Sequence, residues 1–341
     1  ADKLLSPEFQ PILEQLLNNC APERQILLFS ATFPENLRPP DPNMAAAEDK
    51  FAPCRAKMEA EGLPEAAVKA FEYSFNLLAS GSSGMIPESD ITPASNVPTL
   101  DSIKEASGGK VDAALLKEAV VLKLNGGLGT GMGLDFAKSL LKVKGNDTFL
   151  DLTAKQVISM RKEYKQNVRF TLMNSFSTSK DTMEYLAKYP EIVSDPDLEF
   201  VQNKVPKIDK ATLLPGEYPN NPKCEWCPPG HGDLYAALEG SGTLDKLLSQ
   251  GYKYMFVSNS DNLGATMDLD LLTYFAEQDF SFMMECAERT VNDKKGGHLA
   301  VRTKDNQLIL RESAQCPDED EDAFQDISKH RYFNTNNLWV R

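Results

Sequence analysis

Hydrophobic residues along the chain fall into a pattern that changes near residue 112. Beyond that point, short apolar runs at 120–124, 168–173, 254–257 and 280–284 are separated by segments with helical spacing near 152–164, 180–188, 233–249 and 268–277. Runs of this length bounded by polar residues are the pattern of strands buried on both faces. Their alternation with helical segments predicts an α/β fold, a Rossmann-like mixed, mostly parallel central sheet flanked by helices. Ligands of such sheets bind beyond the carboxyl ends of the strands, so the residues following each run are the first candidates for chemistry. Upstream, Met58, Leu63, Ala67, Phe71, Phe75 and Leu78 recur at helical intervals over residues 45 to about 80. Gly81-Ser-Ser-Gly84 then leads into a proline-bearing stretch, Met85 to Leu100, that reads as an extended connector. Nearer the start, Phe9 to Leu17 suggests a helix and Gln25 to Phe33 a strand, followed by a break at Pro39-Pro40-Asp41-Pro42. The expected division is a short segment 1–36, a small helical region with its connector over 37–110, and the main α/β domain over 111–341.

Composition narrows the classes of partner. The 341 residues are 41% hydrophobic and 25% charged, with 50 acidic against 36 basic side chains and a formal net charge of -14. That charge repels nucleic acid and anionic membrane at long range, and no basic patch offsets it, so neither is an expected partner. A small ligand fits better, and it can still be anionic, because loop amides, a lysine and a bound divalent cation outweigh the global charge within a few ångströms. No apolar stretch reaches the roughly 18 residues of a membrane span, and ADKLLSPEFQ lacks the features of a signal peptide, so a soluble cytoplasmic protein is expected. The six cysteines are sparse and irregular. Cys224-Glu-Trp-Cys227 has the spacing of half a zinc knuckle with His231 nearby, but no second pair follows, which favours free thiols. The acidic run at 316–326 reads most simply as a solvated loop.

The strongest local signal is Val120-Val-Leu-Lys-Leu-Asn-Gly-Gly-Leu-Gly-Thr-Gly-Met-Gly133, a buried strand running straight into five glycines within eight positions. A turn needs one or two glycines. A run with its side chains removed lets consecutive backbone N–H groups approach phosphate oxygens closely. It is not a Walker loop, since Met132 stands where the lysine belongs, and it is not the dinucleotide fingerprint, since Leu134 replaces the third glycine. Lys138, five residues beyond the last glycine, is placed to fold back over a polyphosphate.

The segment LNGGLGTGMGLDFAKSLL resembles the signature of UDP-glucose pyrophosphorylases (UTP–glucose-1-phosphate uridylyltransferases), in the protist form with Ala-Lys-Ser. Further blocks resemble the family in the same order: Val201-Gln-Asn-Lys-Val-Pro-Lys207, Trp226-Cys-Pro-Pro-Gly-His-Gly-Asp-Leu-Tyr235, Val257-Ser-Asn-Ser-Asp-Asn-Leu-Gly264, Lys295-Gly-Gly-His298 and Phe333-Asn-Thr-Asn-Asn-Leu-Trp339. The likeness spans roughly residues 50–341. It implies a nucleotidyltransferase domain over 111–341. It also implies that Leu124, Asn125, Gly126 and Gly127 pack against the uridine and its phosphates, that Gln202 reads the uracil, and that Gly230 closes over the base. Asp261 would hold Mg²⁺ between UTP and the sugar phosphate. Gly297, Glu312 and Asn334 would bond the glucose hydroxyls, with Asn259 and His231 near phosphate or sugar and Asn336 and Asn337 as further candidates.

The activity so implied joins UTP and glucose 1-phosphate into UDP-glucose and pyrophosphate, with a phosphate oxygen of the sugar attacking the α-phosphorus in line. Two anions must meet, so alignment and charge neutralisation should carry catalysis, with Asp261 and its cation at the α-phosphate and Lys138 at the leaving pyrophosphate. Two features depart from the family pattern. Family members supply another lysine and a further metal-side residue from downstream and end in a left-handed β-helix domain. This chain stops at Trp339-Val-Arg341 just after a new apolar segment begins, so a continuation is expected. Residues 1–36 instead resemble a fragment of a DEAD-box RNA helicase around its Ser-Ala-Thr motif, without that family's ATP-binding loop. The readings left open are a pyrophosphorylase of broader UDP-sugar or UDP-N-acetylhexosamine specificity, a nucleotide-sugar binder without turnover, and a helicase accessory protein.

Overall fold

The structure, a computed structural model, describes residues 49–95, 97–128, 136–195 and 197–341. The helicase-like segment and the last three glycines of the loop, at 129, 131 and 133, lie outside the described residues. Nine strands form one mixed sheet: β1 (Ile91–Pro93), β2 (Ala119–Asn125), β3 (Arg169–Asn174), β4 (Glu199–Val201), β5 (Tyr254–Asn259), β6 (Phe282–Glu288), β7 (His298–Arg302), β8 (Leu308–Arg311) and β9 (Tyr332–Val340). The strand order is β1-β7-β9-β5-β2-β3-β4, with β6 paired to β9 and β8 to β7. Strands β5, β2, β3 and β4 run parallel to one another. The other pairings are antiparallel.

The parallel half follows from the buried runs. Every residue of β2 and β3 is buried, as expected for central strands covered on both faces. On one face Val121, Phe170, Phe256 and Trp339 pack with residues of α3 (Phe149–Tyr164) and α7 (Leu269–Glu277). On the other, Leu122, Leu124, Met173 and Val257 meet Leu234 and Leu238. Helix α3 begins where Thr148 and Asp151 form a reciprocal cap, and α7 where the Asp268 carboxylate accepts from the amides of Asp270 and Leu271.

Several elements differ from the expectation for identifiable reasons. The helical spacing over 45–80 gives, within its described part, two helices, α1 (Ala52–Ala60) and α2 (Glu65–Ala79), because Gly62 takes a positive φ of 73° and Pro64 caps the second. The segment 233–249 likewise divides into α5 (Leu234–Gly240) and α6 (Thr243–Ser249). A Cβ on Gly240 would lie 2.5 Å from Pro64 Cγ, so that glycine lets the N-terminal helices pack here. The connector contributes an edge strand, β1. The acidic run is not simply a solvated loop: Phe324 within it is 2% exposed, and Asp320 accepts from the Glu88 amide at 2.6 Å and from Arg311 at 3.4 Å.

Candidate active site

The carboxyl ends of β2, β3 and β5 lie side by side, since Asn125 is in register with Asn174 and Leu124 with Asn259. Strand β9 runs antiparallel to β5, which brings its own first residues to the same edge. Two adjoining cavities open there, of about 360 and 510 Å³, and Leu124, His231 and Asn259 line both.

The smaller cavity is lined by Gly126, Gly127, Lys138, Gln202, Gly230 and Asp261 among others. Gly126 has no positive φ, so its lack of a side chain serves close approach instead: a Cβ would stand 2.8 Å from Gln202 Nε2 and 2.9 Å from its Cδ. Gln202 itself is buried, and its backbone N–H donates to the Asn174 carbonyl at 2.7 Å. Behind it, the Asp233 carboxylate accepts from the Asn203 backbone amide at 2.6 Å and from its side chain at 3.1 Å. Gly230, with φ 93°, turns the chain at the rim where a side chain would be strained. The two ends of the glycine loop are tied together by an antiparallel bridge between Leu128 and Ala137, and the Lys138 amide donates to the Gly127 carbonyl at 3.2 Å. That tie brings the lysine back to the loop. Its ammonium meets the Asp261 carboxylate at 2.5 Å.

The larger cavity is lined by Gly297, Glu312, Asn334 and Asn336 over an apolar floor of Phe282, Met284, Leu310, Phe333 and Leu338. Gly297 leaves room for its neighbour, since a Cβ there would overlap the Glu312 carboxylate. The Asn334 side chain donates to Glu312 Oε1 at 3.1 Å, and its amide donates to the Gly297 carbonyl at 3.0 Å. Asn336 then connects the two compartments: its amide donates to Asn334 Oδ1 at 2.8 Å and its side chain to Asn259 Oδ1 at 2.9 Å. A bulge makes this possible. The β6–β9 register shifts between Glu285 and Cys286, with Glu285 opposite Asn337 and Cys286 opposite Asn334, while Asn336 takes a left-handed φ of 57°.

A buried charged layer backs this compartment. His298, next to Gly297, stacks on His330 with ring centroids 3.9 Å apart, and His330 Nε2 lies 2.8 Å from Glu88 Oε1. Arg311, fully buried beside Glu312, donates to Glu88 at 2.6 Å. Burial pushes His298 down to about 3, reinforced by the positive field of its neighbours His330, Arg289 and Arg311. Burial acts upward on Glu88, but hydrogen bonds from Lys329, His330 and Arg311 outweigh it and leave the carboxyl at about 2.

Of the residues read from the sequence, Leu124, Gly126, Gly127, Lys138, Gln202, Gly230 and Asp261 meet in one compartment and Gly297, Glu312 and Asn334 in the other, with His231 and Asn259 on the boundary. Asn125 is not on the cleft wall. It is buried, its side chain donating to Asn174 Oδ1 at 2.7 Å and Thr182 Oγ1 at 2.9 Å, and so fixes the strand end instead. Asn337 faces the other way, donating to Glu285 at 3.0 Å. The apolar floor and the histidine stack were not singled out by sequence reasoning, although the alternating apolar residues of β6 and β8 carry a faint signal for the floor. Cys224 and Cys227 are free thiols, and the described residues contain no group of three or more His, Cys, Asp or Glu placed to share a metal. Among them, no helix is long and apolar enough to cross a membrane.

Comparison with known proteins places this geometry. Residues 68–341 match the family model described as UTP–glucose-1-phosphate uridylyltransferase. The chain is 44% identical over 240 residues to a probable UTP–glucose-1-phosphate uridylyltransferase of Schizosaccharomyces pombe, covering 70% of this chain and 46% of that one. It is 45% identical over 231 residues to the Saccharomyces cerevisiae enzyme, covering 66% and 45%. The chain thus spans about half the length of the curated relatives it matches. Among solved structures it superposes on UDP-glucose phosphorylase from Trypanosoma brucei with TM-score 0.81 and 51% identity, over 86% of this chain and 63% of that one. A variant of Leishmania major UDP-glucose pyrophosphorylase, solved in complex with UDP-glucose, superposes with TM-score 0.80 and 48% identity, over 87% and 64%.

Proposed function

Because the chain belongs to the UTP–glucose-1-phosphate uridylyltransferase family, we propose that its cleft takes UTP and glucose 1-phosphate and transfers the uridylyl group between them. The observation that carries this reading is the meeting of two compartments of different character at Leu124, His231 and Asn259, beside Asp261 and Lys138. Gly126, Gly127, Gln202 and Gly230 offer a slot for a base and its phosphates. Glu312 and Asn334 offer paired acceptor and donor groups for the hydroxyls of a hexose.

In this reading a phosphate oxygen of glucose 1-phosphate attacks the α-phosphorus of UTP. The new O–P bond forms as the bond to the β-phosphate oxygen breaks, and the electron pair leaves with pyrophosphate. No side chain is a nucleophile. The barrier is chiefly the repulsion of two anions, so the cleft contributes by alignment and by cationic charge. Lys138, held at the glycine loop by its own backbone, is the cation for the pyrophosphate. Among the described residues, Asp261 is the one carboxylate lining the smaller cavity, a donor set suited to Mg²⁺, which takes one or two carboxylates and completes its shell with water and phosphate oxygens. When bound, Mg²⁺ supplies charge neutralisation and orientation at the α-phosphate.

Separate calorimetric titrations with UTP and with UDP-glucose test the compartment assignment. The expected result is one site per chain, with Gln202→Ala weakening UTP roughly tenfold through loss of a buried hydrogen-bonding group, and Glu312→Ala weakening UDP-glucose but leaving UTP unchanged. A Glu312→Ala variant that loses UTP and UDP-glucose affinity equally contradicts it.

A further inference from the structure

Lys123 is a lysine where the fold has every reason to place an apolar residue. It lies in the fully buried β2 at 2% exposure, and successive side chains alternate along a strand, so it points away from the cleft that its neighbour Leu124 lines. Burying an ammonium is costly unless it is hydrogen-bonded, and core positions of this kind are usually filled as well or better by an apolar side chain of similar size. Lys123 Nζ makes two bonds, donating to Ser258 Oγ at 2.7 Å and to the Ala265 carbonyl at 2.7 Å.

Those two partners bracket Asp261. Ser258 lies three residues before it on β5, and Ala265 four residues after it, where the chain re-enters the core; both are buried. Between them the segment is held by the Ser260 amide donating to the Leu124 carbonyl at 3.1 Å, by short-range turns, Asn262 N to Asn259 O at 3.2 Å and Ala265 N to Asn262 O at 3.3 Å, and by Gln156 donating to the Leu263 carbonyl at 2.9 Å. A single ammonium therefore clamps the departing and returning ends of the loop with charge-assisted bonds, which are shorter and stronger than neutral ones. Across the sheet, Glu285 supplies an opposing negative field, itself fixed by Trp339 Nε1 at 2.7 Å and Asn337 Nδ2 at 3.0 Å.

We propose that Lys123 is a positioning residue for the Asp261 loop: by joining Ser258 to the Ala265 carbonyl behind the sheet, it holds the Asp261 carboxylate in place for the divalent cation. The proposal rests on the reading that Asp261 binds such a cation. Lys123 touches no substrate. Its contribution is to the preorganisation of a carboxylate that otherwise sits on a loop.

The test uses Lys123→Met, which keeps the length and volume of the side chain and removes the charge, in the full chain. Three quantities are measured against wild type and Asp261→Ala: Mn²⁺ affinity in the presence of UTP, from the free-Mn²⁺ electron paramagnetic resonance signal; UTP affinity in EDTA; and amide hydrogen exchange. Lys123→Met should bind Mn²⁺ tenfold or more weakly, keep UTP affinity in EDTA within about twofold, and lose exchange protection over 259–265 while β2 and β3 stay protected. Lys123→Arg, which retains a donor cation, should recover part of the Mn²⁺ affinity. Mn²⁺ affinity in Lys123→Met within twofold of wild type overturns the proposal, as does a loss of protection throughout β2, β3 and β5, which marks a general core role. Wild-type Mn²⁺ binding that does not respond to Asp261→Ala overturns the cation reading of the site itself, and this proposal with it, so the two failures are told apart.

Discussion

The ammonium of Lys138 stands 2.5 Å from the Asp261 carboxylate, so the two groups proposed to act on different phosphates neutralise one another in the free protein. A cation arriving at Asp261 competes with the lysine for the carboxylate charge, and a polyphosphate gives the lysine a second partner. Both side chains are partly exposed, 43% and 28%, so the pair itself contributes on the order of 0–1 kcal/mol.

Lys138→Ala therefore has opposite effects on two measurements. In the absence of nucleotide, Mn²⁺ should bind up to about fivefold more tightly, because its carboxylate no longer has a competitor. Turnover should fall by roughly 10²–10³, the usual loss when one preorganised charge at a transition state is removed. Weaker Mn²⁺ binding in the variant, read from the free-Mn²⁺ signal, contradicts this picture.

Two glycines are each matched to one side chain, and their alanine variants separate the compartments. In Gly126→Ala the new methyl collides with the Gln202 amide, and UTP affinity should drop roughly tenfold, the equivalent of one buried hydrogen bond. In Gly297→Ala the methyl collides with Glu312, and glucose 1-phosphate affinity should drop by a similar factor while UTP affinity holds. Both variants should keep their unfolding midpoint within the range of ordinary substitutions, since the displaced groups are side-chain tips lining an open cleft. Calorimetry with each ligand reads the result, and crossed effects would show the compartments to be wrongly assigned.

The stacked histidines make stability depend on pH. His298 titrates near 3 when folded but at about 6.5 when unfolded, so the unfolded chain takes up a proton that the folded chain refuses. Its contribution is complete above about pH 6.5 and is lost as pH falls toward 3. His330, pushed down by burial, acts in the same direction, and Glu88 adds to it only below its ordinary value of 4.5. Between pH 7 and pH 5, His298 alone should cost about 2 kcal/mol of unfolding free energy. Urea melts at the two pH values measure it, and His298→Asn should flatten the difference.

How much of this was legible in the sequence depended on burial. Strands β2, β3 and β5 are apolar runs because both faces are covered, and the glycine loop that starts at Gly126 could be read directly from where β2 stops, whereas Asp261, two residues past the end of β5, was reached through family resemblance. The sugar-side wall was harder. Strand β9 begins Tyr-Phe-Asn-Thr-Asn-Asn, polar enough to hide its sheet pairing from any hydrophobic pattern, and its asparagines are aimed by a bulge that exists only against β6. Asn334 and Glu312 were reached through family resemblance alone. The direction of the Asn125 side chain, toward Asn174 and Thr182, was hidden for a related reason: adjacent strand residues face opposite sides, and resemblance to a loop motif does not say which one faces the ligand. Nor does composition distinguish Asp320, which holds Arg311, from the acidic residues beside it.

In the proposed reaction a nucleotide and a sugar phosphate meet at Asp261. The most direct measurement is pyrophosphate release from the purified chain mixed with Mg²⁺, UTP and glucose 1-phosphate, run beside Asp261→Ala. Release that requires both substrates and is abolished in the variant is the expected result. Release that persists in Asp261→Ala, or binding of neither substrate by the wild-type chain, would contradict it.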